Sequence, residues 1–220
     1  QGGIGLGEKE YYLEDDEATK NIREGYKAHI VKMFQLIGQD EKQATKSMEA
    51  VMEIETRLAK KSFNAVEQRN PAANYHMLTL DELKKQIPGF DWDAYINAVG
   101  VKGVTSLNVS QIEPVQEAVA IINELPMDKQ KAYLQWKLID SAASYLSDAF
   151  VAQNFEFYGK VMSGKKEDQP RWKKAVGTVN GVLGEAVGQM YVEKYFPAAA
   201  KERMVQLVKN LQTALGERIQ

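Results

Sequence analysis

From Asp15 onward, apolar side chains fall at three- and four-residue steps, Ala18, Ile22, Tyr26, Ile30, Met33 and Ile37, which predicts an amphipathic helix closed at Gly38. Asp40 with Gln43 resembles a capping box, and Ala44, Met48, Val51, Leu58 and Val66 carry a second helical stripe to about Gln68, with Asn70-Pro71 as its stop. Thr79-Leu80-Asp81-Glu82 is a further capping box. It opens a short helix that Pro88-Gly89 must close, since proline lacks the amide a helix interior needs. Asp91 to Val99 reads as one more short helix, stopped by Gly100. Residues 100–112 mix Val101, Val104, Thr105, Leu107 and Val109 with Gly and Ser, the composition of a loop or short strand.

Pro114 suits the first turn of a helix over 114–125, and Asp128 starts a long pattern through Leu134, Leu138, Ala142, Tyr145 and Ala149 that Gly164 ends. Pro170 and Pro197 open two last helices, striped by Trp172, Val176, Val179, Leu183, Val187 and Met190 and then by Val205, Val208, Leu211 and Leu215. Trp172 is assigned to the core. Gly177, Gly181, Gly184 and Gly188 each cost a helix interior up to about 1 kcal/mol relative to alanine, so they predict another backbone packed close along this helix. The expected fold is all-α, a multi-helix bundle lobe with short irregular connections and room for one short strand or hairpin. No internal repeat divides the chain, and 100–112 is the one candidate seam in a single lobe spanning 1–220.

Composition narrows the function classes. The chain has 220 residues, 44% of them apolar, with 28 basic and 30 acidic side chains, so its net charge of -2 gives no field that would draw it to nucleic acid. With no cysteine, disulfides, thiolate metal sites and thiol nucleophiles are excluded together, which says little about compartment. No apolar run is long enough to span a bilayer, and the start at Gln1 without a signal pattern reads as cut.

The motifs reduce to structural readings. Zinc hydrolysis wants two imidazoles on one helix face, as in H-E-x-x-H, whereas this chain has two histidines, His29 and His76, in unrelated contexts, each better read as a helix-face or capping residue. No G-x-S-x-G elbow occurs. Gly159 to Lys165 matches the phosphate loop up to its lysine, but Lys166 stands where a magnesium-binding hydroxyl belongs, and a helix end with a basic loop fits better. Arg171-Trp172-Lys173-Lys174 is too short for a nucleic-acid patch, and the sequon Asn108-Val109-Ser110 reads as a chance match. Residue by residue, no catalytic constellation emerges.

Taken as ordered blocks, the chain resembles the helical lobe of the neprilysin and PepO family of zinc endopeptidases. Gly5-Leu6-Gly7 with Tyr11-Tyr12-Leu13, then Tyr26, His29-Ile30, Met33 and Glu55 with Leu58-Ala59, follow the family order. So do Pro88-Gly89-Phe90-Asp91-Trp92, Tyr133-Leu134-Gln135-Trp136, Phe155-Glu156-Phe157-Tyr158, Arg171-Trp172 and Gly184-Glu185-Ala186-Val187-Gly188. The family more often has Asp and Asn where Asn70 and His76 stand. Its animal members carry a disulfide cysteine at the place of Ala175, which makes the resemblance point to a bacterial member.

The resemblance implies a lobe that caps a catalytic lobe of the same polypeptide, encloses a cavity for peptide substrates and limits their size. The family's zinc motif H-E-x-x-H, its third glutamate ligand and its substrate-aligning residues lie downstream of the matched region. No catalytic or metal-binding residue is therefore assigned in this chain, its substrate-binding residues are left unassigned, and it is expected to hold no cofactor, with zinc in the missing catalytic lobe. The chain is expected to be an excised fragment, inactive alone, of an extracytoplasmic or cell-envelope enzyme, a cytoplasmic one being the lesser alternative. It is expected to have no nucleic-acid partner and no transmembrane segment. The competing reading is a self-standing helical binding or scaffold module.

Overall fold

The computed structural model describes residues 2–219 and resolves two compact units, one ending at Lys166 and one beginning at Glu167. In the first unit a short α1 (Glu10–Leu13) leads into α2 (Glu17–Leu36) and α3 (Glu41–Lys61). Asp16 caps α2 by accepting from the Thr19 amide at 3.0 Å, and Asp40 caps α3 through the Gln43 amide at 2.8 Å. Between the two helices Gly38 takes a positive φ of 96°, a turn that costs a residue with a Cβ more than glycine.

The α3 helix stops at Lys61, short of Gln68, which corrects the longer expectation. The Ser62 hydroxyl turns back onto the Leu58 carbonyl, the Phe63 amide donates to Gln111 Oε1, and Asn64 Oδ1 accepts from the Val66 and Glu67 amides, so side chains satisfy the backbone that a continuing helix would have used. Val66, assigned to the buried stripe, consequently stands exposed.

Two three-residue strands, β1 (Met77–Thr79) and β2 (Ser106–Asn108), pair antiparallel with Leu78 opposite Leu107. They are not a hairpin, since α4 (Leu80–Gln86) and α5 (Trp92–Ala98) lie between them in the chain. The expected capping box is present: the Thr79 hydroxyl accepts from the Glu82 amide, and Glu82 Oε2 accepts from the Thr79 amide at 2.8 Å. Replacing Thr79 by Ala should lower the stability of the first unit by about 1 kcal/mol in urea unfolding. A change below about 0.3 kcal/mol would mean that the fully buried Leu83 and Ile87 hold α4 without its cap.

Next come α6 (Ile112–Glu124) and α7 (Met127–Ala142), a 3-10 turn at Ala143–Tyr145, α8 (Asp148–Asn154) and a π-helical segment, Phe155–Val161. The single long helix expected over 128–164 is therefore broken at Leu146-Ser147, where Ser147 is extended and its carbonyl starts the next helix. Its stripe is corrected too: Leu134, Leu138 and Tyr145 are exposed, at 66, 69 and 77%, and the buried face is Ala132, Trp136, Ile139 and Ala143. α7 has apolar residues on two faces, and only tertiary packing against α3 chooses between them.

Most of the core gathers where α3 packs on α2, α6 and α7, with Tyr26, Ile30, Met33, Phe34, Val51 and Trp136 at its centre. A smaller cluster of Leu78, Leu83, Ile87, Val109 and Val119 sits under the strand pair. The second unit is α9 (Arg171–Tyr195), which has a non-helical residue at Leu183, and α10 (Ala198–Ile219). Pro170 and Pro197 immediately precede these helices, as the sequence predicts. Neither helix buries a residue, Trp172 is 64% exposed, and a Cβ on any of the four α9 glycines would meet nothing within 4 Å. The core assignment of Trp172 and the close backbone contact expected there are thus absent among the described residues.

Candidate functional site

The densest polar chemistry is inside the first unit, not on its surface. On α3, Glu55 continues the apolar stripe of Val51 and Leu58 and is completely buried. Its Oε2 accepts from Tyr12 Oη of α1 at 2.7 Å and from Tyr26 Oη of α2 at 2.9 Å, and Trp136 Nε1 of α7 donates to the same Tyr26 hydroxyl at 3.0 Å. Oε1 has no hydrogen-bond partner among the described residues. Burial pushes the Glu55 carboxyl above the usual carboxylate range, opposed by the Tyr12 hydroxyl, the Gly5 backbone, the Tyr26 hydroxyl and Lys137. Burial and the charge of Glu55 push both tyrosine hydroxyls strongly upward, so they remain donors.

A group whose folded pKa is raised holds its proton more tightly folded than unfolded. Stability then falls as pH rises from the ordinary carboxyl value, 4.5, through the raised one. Urea midpoints taken over that range should show the protein losing stability relative to a Glu55→Gln variant as pH rises; parallel curves would mean that Glu55 does not titrate above its ordinary range.

Beside this network, His29 of α2 is buried in a box of rings. It stacks on Phe157 at 5.1 Å and meets Trp136 and Tyr158 edge-on, both at 5.5 Å. Gln153 Nε2 lies 3.1 Å from its Nδ1, and the imidazole Nε2 has no hydrogen-bond partner among the described residues, with Asp140 Oδ1 at 3.9 Å. The π-helical turn puts consecutive residues Phe157 and Tyr158 on two sides of the imidazole, while Tyr158 Oη donates to the Asp140 carboxylate at 3.0 Å. His76, half-buried before β1, has Nδ1 3.1 Å from the Val109 carbonyl and so donates to it.

These residues do not suit zinc. Both histidines are engaged in packing or backbone contacts, they lie in separate clusters, and no group of three metal-capable side chains converges among the described residues. No step of zinc chemistry is accordingly derived through this chain. The phosphate-loop look-alike is a helix end, as expected: the Gly164 amide returns to the Lys160 carbonyl and the Lys165 amide to that of Gly159. Asn108 of the sequon has its side chain committed on both sides, accepting from the His76 amide and donating to the Asn74 carbonyl. Surface grooves exist between α3 and α7, about 240 Å³, lined by Lys46, Glu53 and Asp128, and beside Ile87 and Val119, about 290 Å³. Neither holds converging catalytic groups.

Comparison with known proteins decides what these elements belong to. The sequence pattern of peptidase family M13 matches residues 1–220. The chain belongs to peptidase family M13. Within that family it corresponds to the N-terminal domain of zinc metallopeptidases. Rat endothelin-converting enzyme 1 is 26% identical over 99% of this chain and 29% of its own length. Human membrane metallo-endopeptidase-like 1 is 28% identical over 99% and 29%. The crystal structure of zinc metalloprotease Zmp1 from Mycobacterium tuberculosis, bound to an inhibitor, superposes with a TM-score of 0.87 at 33% identity, covering 97% of this chain and 32% of that one. PepO of Lactobacillus rhamnosis, 19% identical with a TM-score of 0.71 over 90% of this chain and 31% of its own, shares the fold. This M13 chain thus spans about a third of the length of the relatives it matches. Among its described residues no helix is long and apolar enough to cross a membrane.

The family resemblance seen in the sequence stands: the whole chain matches family M13. Sequence reasoning did not single out the Tyr12–Glu55–Tyr26–Trp136 network. One signal could have found it: an acid at position 55 on the stripe 44, 48, 51, 58 lies on a face otherwise destined for the core.

Proposed function

We propose that this M13 chain is part of the helical capping lobe of a zinc metalloendopeptidase that cleaves peptides. In this reading residues 1–220 belong to one lobe of a two-lobed enzyme, enclose the substrate cavity and set the size of what enters. Zinc, held by the catalytic lobe, supplies water activation there, and this chain supplies enclosure: exclusion of bulk water and confinement of the peptide. The observation that carries the reading is the match along the whole chain to a family whose relatives are about three times as long.

The exposed apolar residues support it. Val182 and Met190 of α9 and Leu211 of α10 are 76, 72 and 62% exposed, and neither helix buries a residue. Apolar faces of this extent mark surfaces that another part of a protein covers, and the remaining two thirds of an M13 polypeptide is the occupant this reading names. Its partners are therefore the catalytic lobe and peptide substrates, and its compartment is extracytoplasmic or the cell envelope.

The test joins the chain to the H-E-x-x-H-bearing portion encoded by the same gene. Cleavage of short fluorogenic peptides should require the joined form and fall away as substrates grow into folded proteins. Cleavage by the chain alone, with stoichiometric zinc, would overturn the placement of the active site. Undiminished cleavage of folded proteins by the joined form would overturn the size filter. A gene that ends at Gln220, with capture of an unrelated partner, would favour the scaffold reading.

A further inference from the structure

The stretch from Gly2 to Lys9 has no helix or strand of its own, yet Ile4 and Leu6 are buried in the main core, at 9 and 4% exposure. Among the described residues no backbone–backbone hydrogen bond joins residues 2–8 to any helix. A buried segment without a ladder must satisfy its amides and carbonyls elsewhere, and here tyrosine hydroxyls serve. Tyr133 Oη of α7 donates to the Gly3 carbonyl at 2.7 Å, and the Leu6 amide donates to Tyr12 Oη at 3.0 Å. The Tyr12 hydroxyl is then oriented by its acceptor, Glu55 Oε2, which also orients Tyr26.

The fit is close as well as polar. A Cβ on Gly5 would overlap the Tyr26 hydroxyl and stand 3.3 Å from Glu55 Oε1, and one on Gly3 would lie 2.9 Å from Leu58 Cδ1. The glycine-rich opening therefore lies against the carboxylate at Gly5, where a residue with a Cβ does not fit. It presents backbone to a buried acid that carries no salt-bridge partner among the described residues.

We propose that Glu55 with Tyr12 and Tyr26 forms a clasp that straps residues 3–7 onto the bundle, and that the strap opens as a unit of its own, independently of the packing of α2, α3 and α7. The helices are bound to one another by apolar packing around Phe34, Val51 and Ile139, in the same cluster that Ile4 and Leu6 join from the strap. The strap is bound by side-chain hydroxyls and two apolar residues, so it belongs to the low-stability end of the molecule. Opening bares the Leu58 and Tyr133 side chains that Gly3 covers. This device rests on the geometry of the first unit alone and does not depend on the enclosure reading.

Hydrogen exchange on the intact protein tests it. Tyr12→Phe removes the hydroxyl that links the Leu6 amide to Glu55 and leaves the ring in place. Protection over residues 3–8 should fall tenfold or more, with the centres of α2, α3 and α7 unchanged. Glu55→Leu, which removes the acceptor but fills its space, should give the same selective loss. Equal losses in strap and helices, in both variants, would make Glu55 and Tyr12 ordinary core residues. Unchanged protection of residues 3–8 in Tyr12→Phe would show that Ile4 and Leu6 hold the strap without a clasp. Either result overturns the proposal.

Discussion

Trp136→Ala should destabilise the first unit by about 4 kcal/mol, the range for emptying a fully buried indole site. Trp136 has no exposed surface, and its ring meets Tyr26 at 5.8 Å, His29 at 5.5 Å and Phe34 at 6.4 Å, so its removal opens a void between α2 and α7 that three large side chains line. Trp136→Phe separates volume from hydrogen bonding. It deletes the Nε1 donor to Tyr26 Oη, but that hydroxyl keeps Glu55 Oε2 as its acceptor, so no polar group is orphaned. The Phe variant should therefore cost about half as much as Ala, roughly 2 kcal/mol, read as a shift in urea midpoint at constant m-value. Equal costs for the two would assign the energy to the N–H and not to packing. A loss below about 1 kcal/mol for Ala would mean that α2 and α7 close over the gap.

The local signals in this chain were the legible ones. Asp40, Thr79 with Glu82, Pro170 and Pro197 mark helix starts that the structure reproduces, because each acts through the orphan amides of a single helix turn and needs no distant partner. The α2 periodicity locates most of its buried face, Tyr26, Ile30 and Met33, while Ile37 at its end is exposed and Phe34 is buried instead. On α7 the apolar residues form two stripes, and periodicity alone does not rank Leu134 against Trp136. The break at Ser147-Asp148 did carry a helix-start signal, a serine followed by an acid, masked by the apolar spacing running through it. The strand pairing of Leu78 with Leu107 joins residues across two intervening helices, a non-local contact that no window of sequence displays. Interior chemistry was hidden for the same reason: Tyr12, Tyr26, Glu55 and Trp136 come from separate helices and acquire their roles only where those helices meet.

Gly5→Ala is the second large effect expected, and its size has a ceiling that Trp136→Ala lacks. The added methyl would overlap the hydroxyl of Tyr26, which cannot step aside: it has no exposed surface and is held by Glu55 and Trp136. The chain can always escape the clash by releasing the strap, so the loss cannot exceed what docking the strap contributes. Burial of Ile4 and Leu6, together with the tyrosine hydrogen bonds, holds the strap against the entropy of ordering it. Gly5→Ala should lower overall stability by about 1–3 kcal/mol, the scale on which a buried apolar side chain contributes, while almost abolishing protection of residues 3–8. Gly7→Ala is the control. Nothing lies within 4 Å of its Cβ position, but its φ of +85° costs an L-residue of the order of 1 kcal/mol, so that variant should keep most of the strap docked. If Gly5→Ala instead unfolded the whole unit, with α2 and α7 losing protection alongside residues 3–8, the strap would be part of the same cooperative structure as the bundle; if it changed nothing, Tyr26 would have room to move that the packing around it does not show.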